Sequence, residues 1–372
     1  MLLSDMDRGR TYSLVLLKAV FIALLQAPTF SPATATYWAL NLATIAATEG
    51  ESGVCNRSAL TQSQYLQCLS NRDTVYSTAL GVELGIAQCR RVFVNNRWNC
   101  SATGPHERSF ADATSRGTPE TAFVQAILSA GMMSLVSRYC KEGRLLRCSC
   151  DQTVRSPPTD GSFLWSGCGD NYEYGYYFSQ RFSNSAYQLT DTSGGEGGQE
   201  ISDYELMAQH NAEVGRLVVK SNLQVQCRCF GLSGTCSIKI CHAALPNFDL
   251  VGQKLYGSYG NAKKVVRSSG TPVLTPVDSR TPLGQTDLVY LLDPPSYCDR
   301  DDRYGSLGTQ GRYCKVDSVG VDSCGHLCCG RGYRVEYLEV PELCNCRLTD
   351  CPNSCRFRCD TCNKLEPHFF CN

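Results

Sequence analysis

The chain has 372 residues, of which 24 are cysteine, about 6.5 %. This fraction is above average usage but below the roughly 8–10 % of small disulfide scaffolds, and the chain is long enough for one large domain or two ordinary ones. With 42 % hydrophobic and 19 % charged residues, it is globular rather than disordered. Lys plus Arg and Asp plus Glu both number 35, so no nucleic-acid partner is expected.

The N-terminus has the pattern of a secretory signal. Arg8 and Arg10 precede an apolar stretch over residues 14–25, and small residues follow it. Residues 1–35 are therefore predicted to be a signal peptide, cleaved within 27–35, with a short anchor or buried helix as the alternative. An exported chain matures in an oxidising compartment, where an even number of cysteines can all pair.

Two sequons fit an exported chain. Asn56 and Asn99 each stand two residues before a serine, and both are predicted glycosylation sites. No later run approaches the roughly 18 uninterrupted apolar residues of a membrane-spanning helix.

Residues 60–223 are predicted to be mainly helical. The segment 120–134 is rich in alanine and other apolar residues and predicts a buried helix, and 201–223 predicts an amphipathic one. Between them, the Gly-rich stretch 193–199 predicts a loop.

After Leu223 the pattern changes to strands and loops. Residues 225–242 alternate around two glycines and predict a β-hairpin, and the five prolines within 268–297 predict an extended linker. Twelve cysteines fall in 298–372, which therefore must be held by disulfides. The predicted fold class is α+β: an N-terminal helical domain, 36–267, with a disulfide-braced hairpin, and a small C-terminal cysteine-rich hairpin domain, 298–372.

The cysteine spacing predicts nested disulfides. Two cysteines in a C-x-C pattern lie on the same face of a strand, so each can bond to a facing cysteine on the partner strand of a hairpin. The pairs that fit this nesting are Cys227–Cys241 outside Cys229–Cys236, and Cys344–Cys362 outside Cys346–Cys359. A zinc-bearing interaction protein is the alternative, but the five histidines show no matching ligand spacing, so no metal is expected.

The segment Cys227-Arg-Cys-Phe-Gly-Leu-Ser-Gly-Thr-Cys236 resembles the C-K-C-H-G-x-S-G-S-C signature of the Wnt family of secreted signalling proteins. The resemblance extends over most of the chain. Further stretches that look like family landmarks are Arg97-Trp-Asn-Cys100, Glu120-Thr-Ala-Phe-Val124, Gly167-Cys-Gly-Asp-Asn171, His210-Asn-Ala-Glu-Val-Gly-Arg216, Asp287-Leu-Val-Tyr290 and Cys328-Cys-Gly-Arg-Gly-Tyr333.

The resemblance implies a secreted, membrane-associated morphogen that acts in development. In Wnt proteins the serine at the position of Ser233 is esterified with palmitoleate by the acyltransferase Porcupine, and this lipid enters a groove on the cysteine-rich domain of Frizzled receptors. No other cofactor is implied. The further partners implied are a lipid-shielding secretion carrier and a co-receptor related to the LDL receptor.

The resemblance also implies two receptor-binding loops. The first is the hairpin tip, formed by Phe230, Gly231, Leu232, Ser233, Gly234 and Thr235. Here Phe230 replaces the usual His, which removes a polar side chain beside the acyl site. Thr235 replaces the usual Ser and retains a hydroxyl.

The second receptor-binding loop is the tip of a C-terminal finger that ends in W-C-C in the family. In this chain Asp350 takes the place of the Trp, and three residues separate Cys351 from Cys355, which can still bond to each other. Loss of an aromatic anchor predicts an altered receptor preference or greater reliance on the lipid. The inserted residues are Pro352, Asn353 and Ser354.

The resemblance implies the remaining disulfides as well. These pairs are Cys55–Cys68, Cys89–Cys100, Cys140–Cys148, Cys150–Cys168, Cys298–Cys329, Cys314–Cys324 and Cys328–Cys371.

Other functions find little support in the sequence. The five histidines are scattered and no common catalytic motif is present, so the protein is not expected to be an enzyme. A non-lipidated secreted cysteine-rich interaction protein is the alternative to a lipidated ligand. Four cations could form a weak heparan sulfate patch, although a solvated face is favoured: Lys254, Lys263, Lys264 and Arg267.

Overall fold

The computed structural model describes residues 38–100, 116–153, 162–186, 201–232, 235–278, 280–349 and 355–372. Four sequence predictions lie outside these residues: the signal peptide, the Gly-rich loop 193–199, the acylation residue Ser233 and the finger tip 350–354. The contacts within Thr36–Asn372 form one compact unit.

The helices of the described residues occur mostly in the first two thirds of the chain. Their bounds are α1 Trp38–Gly53 (with a break at Gly50), α2 Gln62–Ser70, α3 Arg72–Val92, α4 Pro119–Lys141, α5 Tyr172–Asn184, α6 Asp203–Ser221, α7 Phe248–Gly260 and the short α8 Cys324–Leu327.

The two helices predicted from hydrophobic patterning are confirmed by α4 and α6. Helix α4 begins with Pro119 after the N-cap Thr118, where the missing amide of proline costs no hydrogen bond. Helix α6 begins with a capping box, in which Ser202 accepts a hydrogen bond from the Glu205 amide and the Glu205 carboxylate accepts one from the Ser202 amide. Both starts are therefore encoded locally.

Helix α4 is the centre of the hydrophobic core. It packs against α3, α5, α6 and α7, and Phe123, Ile127 and Met132 on it are fully buried. The helix is long and apolar enough to cross a membrane, yet 94 % of its apolar window is buried inside the protein. Its composition thus fits a surrounded core helix.

Buried polar groups along α4 are hydrogen-bonded. Glu120 is 2 % exposed and accepts hydrogen bonds of 2.8 Å from the hydroxyls of Tyr259 and Tyr297. Burial and the Glu120 charge together raise the pKa of both tyrosines. The Arg216 guanidinium, 1 % exposed, bonds to Glu213 and to the Ser129 hydroxyl. These bonds offset the cost of burying charge and fix α6 and α7 against α4.

Small sheets extend from the helical core. The strand bounds are β1 Leu164–Trp165, β2 Gln224–Phe230, β3 Ile238–Ala244, β4 Lys263–Arg267, β5 Leu274–Pro276, β6 Val289–Tyr290, β7 Arg300–Asp301, β8 Ser306–Leu307, β9 Tyr313–Cys314, β10 Tyr333–Thr349 and β11 Arg356–Cys371. The strand orders within the sheets are β1-β3-β2, β5-β4-β6, β7-β8 and β10-β11-β9.

The segment 268–297 differs from the extended linker that its prolines suggested. It contributes β5 and β6, which pair with opposite edges of β4. The physical reason is a small apolar cluster in which Val265 and Val289 are buried with Met207 of α6.

The predicted α+β class is confirmed, whereas the predicted division into two domains stays a prediction.

We expect Gly215→Ala to lower the free energy of unfolding by about 1–3 kcal/mol, because a Cβ at Gly215 would lie 1.9 Å from the Ala126 carbonyl oxygen of α4. Denaturant-induced unfolding with the disulfides intact measures the change. The matched control is Gly257→Ala in α7, where a Cβ meets nothing within 4 Å and stability should stay equal or rise. Equal stability of the Gly215 variant and the wild type would contradict the close packing of α4 and α6.

Candidate functional site: a braced hairpin and a long finger

The β2–β3 hairpin carries two nested disulfides. The strands are antiparallel with Cys227 opposite Cys241, and these two residues are bonded to each other. Cys229, on the same strand face as Cys227, is bonded to Cys236 at the start of the returning segment. This is the nesting that the C-x-C spacing predicts, and it closes the tip into a short covalent ring.

Within this ring the backbone turns too tightly for a side chain at Gly231. A Cβ there would lie 1.9 Å from the Thr235 carbonyl oxygen. The turn is held by the amide and hydroxyl of Thr235, which donate to the Leu232 carbonyl at 3.2 and 2.7 Å. Ser233 and Gly234 themselves lie outside the described residues.

Apolar side chains beside the tip face solvent. Phe230 is 52 % exposed and Leu232 is 88 % exposed. Ile238, directly across the hairpin from Phe230, is 51 % exposed and was missed in the sequence analysis. The available signal in the sequence was an apolar residue two positions after Cys236. Exposed apolar groups on a rigid turn are typical of a contact surface.

The base of the hairpin is fixed to the helical core. Strand β1 pairs in parallel with β3, and the amide of Asp170 donates to the Ala243 carbonyl at 3.1 Å. The Asp170 carboxylate, nearly buried, accepts from the Leu245 amide at 2.8 Å and lies 3.6 Å from the ammonium of Lys141 at the end of α4. The tip is therefore held out from a rigid base.

A cleft of about 640 Å³ lies along the hairpin face opposite the disulfides, between β2–β3 and the C-terminal end of α4. The Nε2 atom of His242 is buried in the described structure without a hydrogen-bond partner. Burial lowers the pKa of His242, so the ring is neutral at neutral pH. Arg138 and Glu142 also line this cleft, which therefore has mixed charge.

The finger is a long two-stranded ribbon formed by β10 and β11. Disulfides Cys344–Cys362 and Cys346–Cys359 cross it near its far end, in the predicted nesting. Between Cys344 and Arg347 the register shifts, and Asn345 there has φ = 50°. The strand β10 therefore carries a β-bulge between Cys344 and Arg347.

The predicted receptor-binding residues of the finger tip lie outside the described residues. These residues are Asp350, Pro352, Asn353 and Ser354, and Cys351 lies among them. Cys355, at the edge of the described part, is disulfide-bonded.

The end of the ribbon carries an apolar pair that sequence analysis missed. Leu348 and Phe357 lie opposite each other and are 64 % and 72 % exposed, and Leu343 further down the strand is 68 % exposed. The alternation of apolar and polar residues toward Thr349 was the available signal. The finger end therefore offers apolar contact area despite the polar residues at its tip.

Further disulfides hold the helices and the base of the finger. Cys328 bonds to Cys371, which ties the last strand to the loop before β10. Three buried sulfurs cluster here, but each belongs to a disulfide and offers no thiolate to a metal. No described cysteine is free. The remaining bonds are Cys55–Cys68, Cys89–Cys100, Cys140–Cys148, Cys150–Cys168, Cys298–Cys329 and Cys314–Cys324.

Both sequon asparagines are partly exposed. The Asn56 side-chain carbonyl accepts hydrogen bonds from the amide and the hydroxyl of Ser58, at 3.0 and 2.7 Å. Its amide nitrogen lies 3.5 Å from the Glu49 carboxylate. Asn99 directly precedes the disulfide-bonded Cys100. Glycan attachment at both asparagines stays a prediction.

The candidate heparan sulfate patch is largely neutralised by carboxylates. Lys263 pairs with Asp287 at 2.6 Å, Lys264 pairs with Asp293, and Arg267 lies 3.5 Å from a carboxylate oxygen of α6. This pairing favours the solvated face over a polyanion site.

His210 has a packing role in this region. Its Nε2 lies 2.9 Å from the carbonyl oxygen of Asp287, so the ring joins α6 to the segment before β6. The Asp287 carboxylate has a lowered pKa because Lys263 bonds to it.

Comparison with known proteins gives concordant results. A family model described as "wnt family" matches residues 56–372. The chain is 36 % identical to Protein Wnt-2 of Caenorhabditis elegans over 346 residues, 91 % of this chain and 93 % of that protein. It is 37 % identical to human Protein Wnt-5a over 325 residues, 87 % of this chain and 83 % of that protein.

A solved structure of similar fold is that of human WLS in complex with WNT8A. The match has a TM-score of 0.54 and 31 % sequence identity, and it covers 80 % of this chain and 94 % of the matched chain. The sequence signature, the braced hairpin, the family match and these relatives agree. The chain belongs to the Wnt family.

Proposed function

We propose that this protein is a secreted, palmitoleoylated Wnt ligand that binds Frizzled receptors through Ser233 and the tip of its C-terminal finger, and so triggers Wnt signalling. The observation that carries the proposal is the hairpin ring closed by Cys229–Cys236, which holds exposed apolar side chains beside Ser233. Family membership supports a signalling ligand and an extracellular location.

The energetic argument favours a lipid as the main contact. Burying an acyl chain contributes about 0.8 kcal/mol per CH₂, on the order of 10 kcal/mol gross for sixteen carbons before the costs of association. A tip of a few residues has too little surface to match this value. Phe230, Leu232 and Ile238 would add apolar area around the entry of the chain.

The finger supplies the second contact in this proposal. Its tip residues, Asp350 and the insertion 352–354, replace an aromatic anchor with polar groups. The exposed Leu348–Phe357 pair supports apolar contact just below the tip. Receptor preference would then differ from that of ligands with an aromatic tip.

Four further partners belong to this proposal. Porcupine would acylate Ser233, and a lipid-shielding carrier would accompany the chain during secretion, for which similarity to a Wnt in complex with WLS is the support. A co-receptor related to the LDL receptor would complete the signalling complex. Heparan sulfate would bind weakly at most, because the candidate cations are mostly paired.

The protein would act as a ligand and not as an enzyme. His210 bonds to the backbone carbonyl of Asp287 and has a packing role. Palmitoleate would be a covalent modification with no catalytic part.

Ser233→Ala is expected to abolish acylation and to weaken binding to Frizzled cysteine-rich domains at least about 100-fold, because the buried chain is lost. Mass spectrometry of the secreted protein detects the acyl group, and biolayer interferometry measures the affinity. Ser237→Ala is the matched control, since it removes a hydroxyl from the same hairpin just beyond the ring.

An unmodified Ser233 peptide in the secreted, wild-type protein would contradict the lipid mechanism. It would favour instead a non-lipidated, cysteine-rich interaction protein.

Asp350→Trp combined with deletion of residues 352–354 is expected to change the ranking of affinities across a panel of Frizzled cysteine-rich domains. An aromatic anchor contributes on the order of 2 kcal/mol where its pocket exists, about 30-fold in affinity. Deletion of 352–354 alone, with Asp350 kept, separates the effect of loop length from that of the ring. An identical ranking for all three proteins would refute a role of the tip in selectivity.

A further inference from the structure

We propose that a groove between α2 and α5 is a second binding site, which takes an acidic peptide segment of a partner protein. It is formed by other elements than the hairpin and finger, and it does not depend on the acyl group. We call it the α2–α5 groove. Its principal lining residues are Leu66, Gln67, Tyr174, Tyr177, Phe178 and Arg181, with Arg147 at one end.

The groove follows from helical spacing on both walls. Tyr174, Phe178 and Arg181 recur at intervals of four and three along α5 and therefore share one face. Leu66 and Ser70 recur at an interval of four along α2. The two faces enclose about 610 Å³, and a second cavity continues past Leu66 and Arg181 toward the end of α5.

Buried hydrogen bonds hold the two walls at a fixed separation. Gln64 of α2 is fully buried and donates to the Phe182 carbonyl of α5 at 3.2 Å. The Thr61 hydroxyl donates to the Ser185 carbonyl at 2.9 Å. The groove is thus preformed, which lowers the entropic cost of binding.

Apolar surface is exposed inside this preformed groove. Leu66 is 54 % exposed and Tyr177 is 66 % exposed. The half-buried Phe178 stacks on Tyr174 with ring centroids 6.0 Å apart, which keeps both rings in place. Exposed, rigid aromatic and aliphatic groups in a concavity favour an apolar side chain of a partner.

The charges of the groove are of one sign. Arg147 and Arg181 line it, and no carboxylate does so among the described residues. Within the described part of the chain neither guanidinium has a side-chain hydrogen bond or ion pair, in contrast to Arg216 in the core. Both guanidiniums are therefore open to an external anion.

The backbone beneath Arg147 is anchored. On one side of Arg147, the amide of Leu146 donates to the Asp73 carboxylate of α3 at 2.7 Å. On the other side, Cys148 is bonded to Cys140 of α4. A guanidinium on a fixed loop can form the bidentate geometry that carboxylates favour.

This combination of groups identifies the class of ligand. Two guanidiniums match carboxylates, and the apolar wall between them matches a Leu or aromatic side chain, so an acidic peptide with an apolar residue uses every feature. A sulfated polysaccharide would engage the cations and leave the apolar wall without a partner. A flat anionic membrane could not enter the concavity.

The test uses the full-length secreted chain and a fluorescein-labelled synthetic peptide in which glutamates flank one Phe and one Leu. Fluorescence anisotropy measures the dissociation constant. The double variant Arg147→Glu, Arg181→Glu is expected to weaken binding at least about tenfold, and Tyr177→Ser at least about threefold. Arg90→Glu is the matched control, because Arg90 is exposed on α3 outside the groove.

Circular dichroism and Frizzled binding show that each variant is folded, and both should match the wild type. Two competitors define the class of ligand: heparin oligosaccharide and phosphatidylserine vesicles. Equal affinity of the wild type and the double variant for the peptide would overturn the proposal. The proposal would also be overturned if heparin or the vesicles bind more tightly than the peptide while Tyr177→Ser keeps the wild-type affinity for the peptide. That result would indicate a polyanion surface.

Discussion

Covalent cross-linking of ribbons that have no hydrophobic core is the constraint on which the rest of this structure depends. Nearly every residue of β10 and β11 is exposed or only partly buried, and a two-stranded hairpin of this kind is marginal in water by itself. Disulfides compensate by restricting the unfolded chain, on the order of 2–4 kcal/mol for each bond. Their positions, at the far end of the finger and beside the hairpin tip, are where the ribbons would otherwise fray.

The rigid ribbons hold their tips in fixed positions because the helical core holds their bases. Helix α4 is surrounded by other helices, and Asp170 transmits that rigidity to the hairpin through bonds to β3 and to the end of α4. The C-terminal part is tied to the helices by backbone acceptors: Arg312 donates to the carbonyls of Arg97 and Val94, and Arg97 donates to that of His326. Guanidinium–carbonyl hydrogen bonds thus join the C-terminal part to the region that follows α3.

The proposed sites differ in how they gain affinity. At the hairpin, a covalent lipid would supply most of the contact with the receptor. The protein then needs to supply a rigid base and a small apolar surface around the acyl chain. In the α2–α5 groove, affinity would come from side chains that two helices bring together. A signalling ligand with both binding sites could bind a receptor and an acidic partner at the same time. Binding at one site would then raise the effective concentration of the second partner at the other site.

The amino-acid sequence by itself determined the features that depend on local order along the chain. Helix α4 follows from a run rich in alanine and other apolar residues, helix α6 follows from an amphipathic pattern, and the nested cysteines follow from C-x-C spacing on strands. The family followed from the ordered cysteine frame around Ser233. The prolines of 268–297 indicated an extended linker, whereas the apolar cluster of Val265, Val289 and Met207 draws two strands of this segment into a sheet.

Tertiary structure alone decided which distant residues meet. Leu348 and Phe357 become a pair through the register of the finger, and Leu66 and Arg181, more than 100 residues apart, come to line one groove because Gln64 and Thr61 bond to α5. Such contacts depend on packing between elements that are remote in the chain, and the spacing of residues within one element cannot encode them.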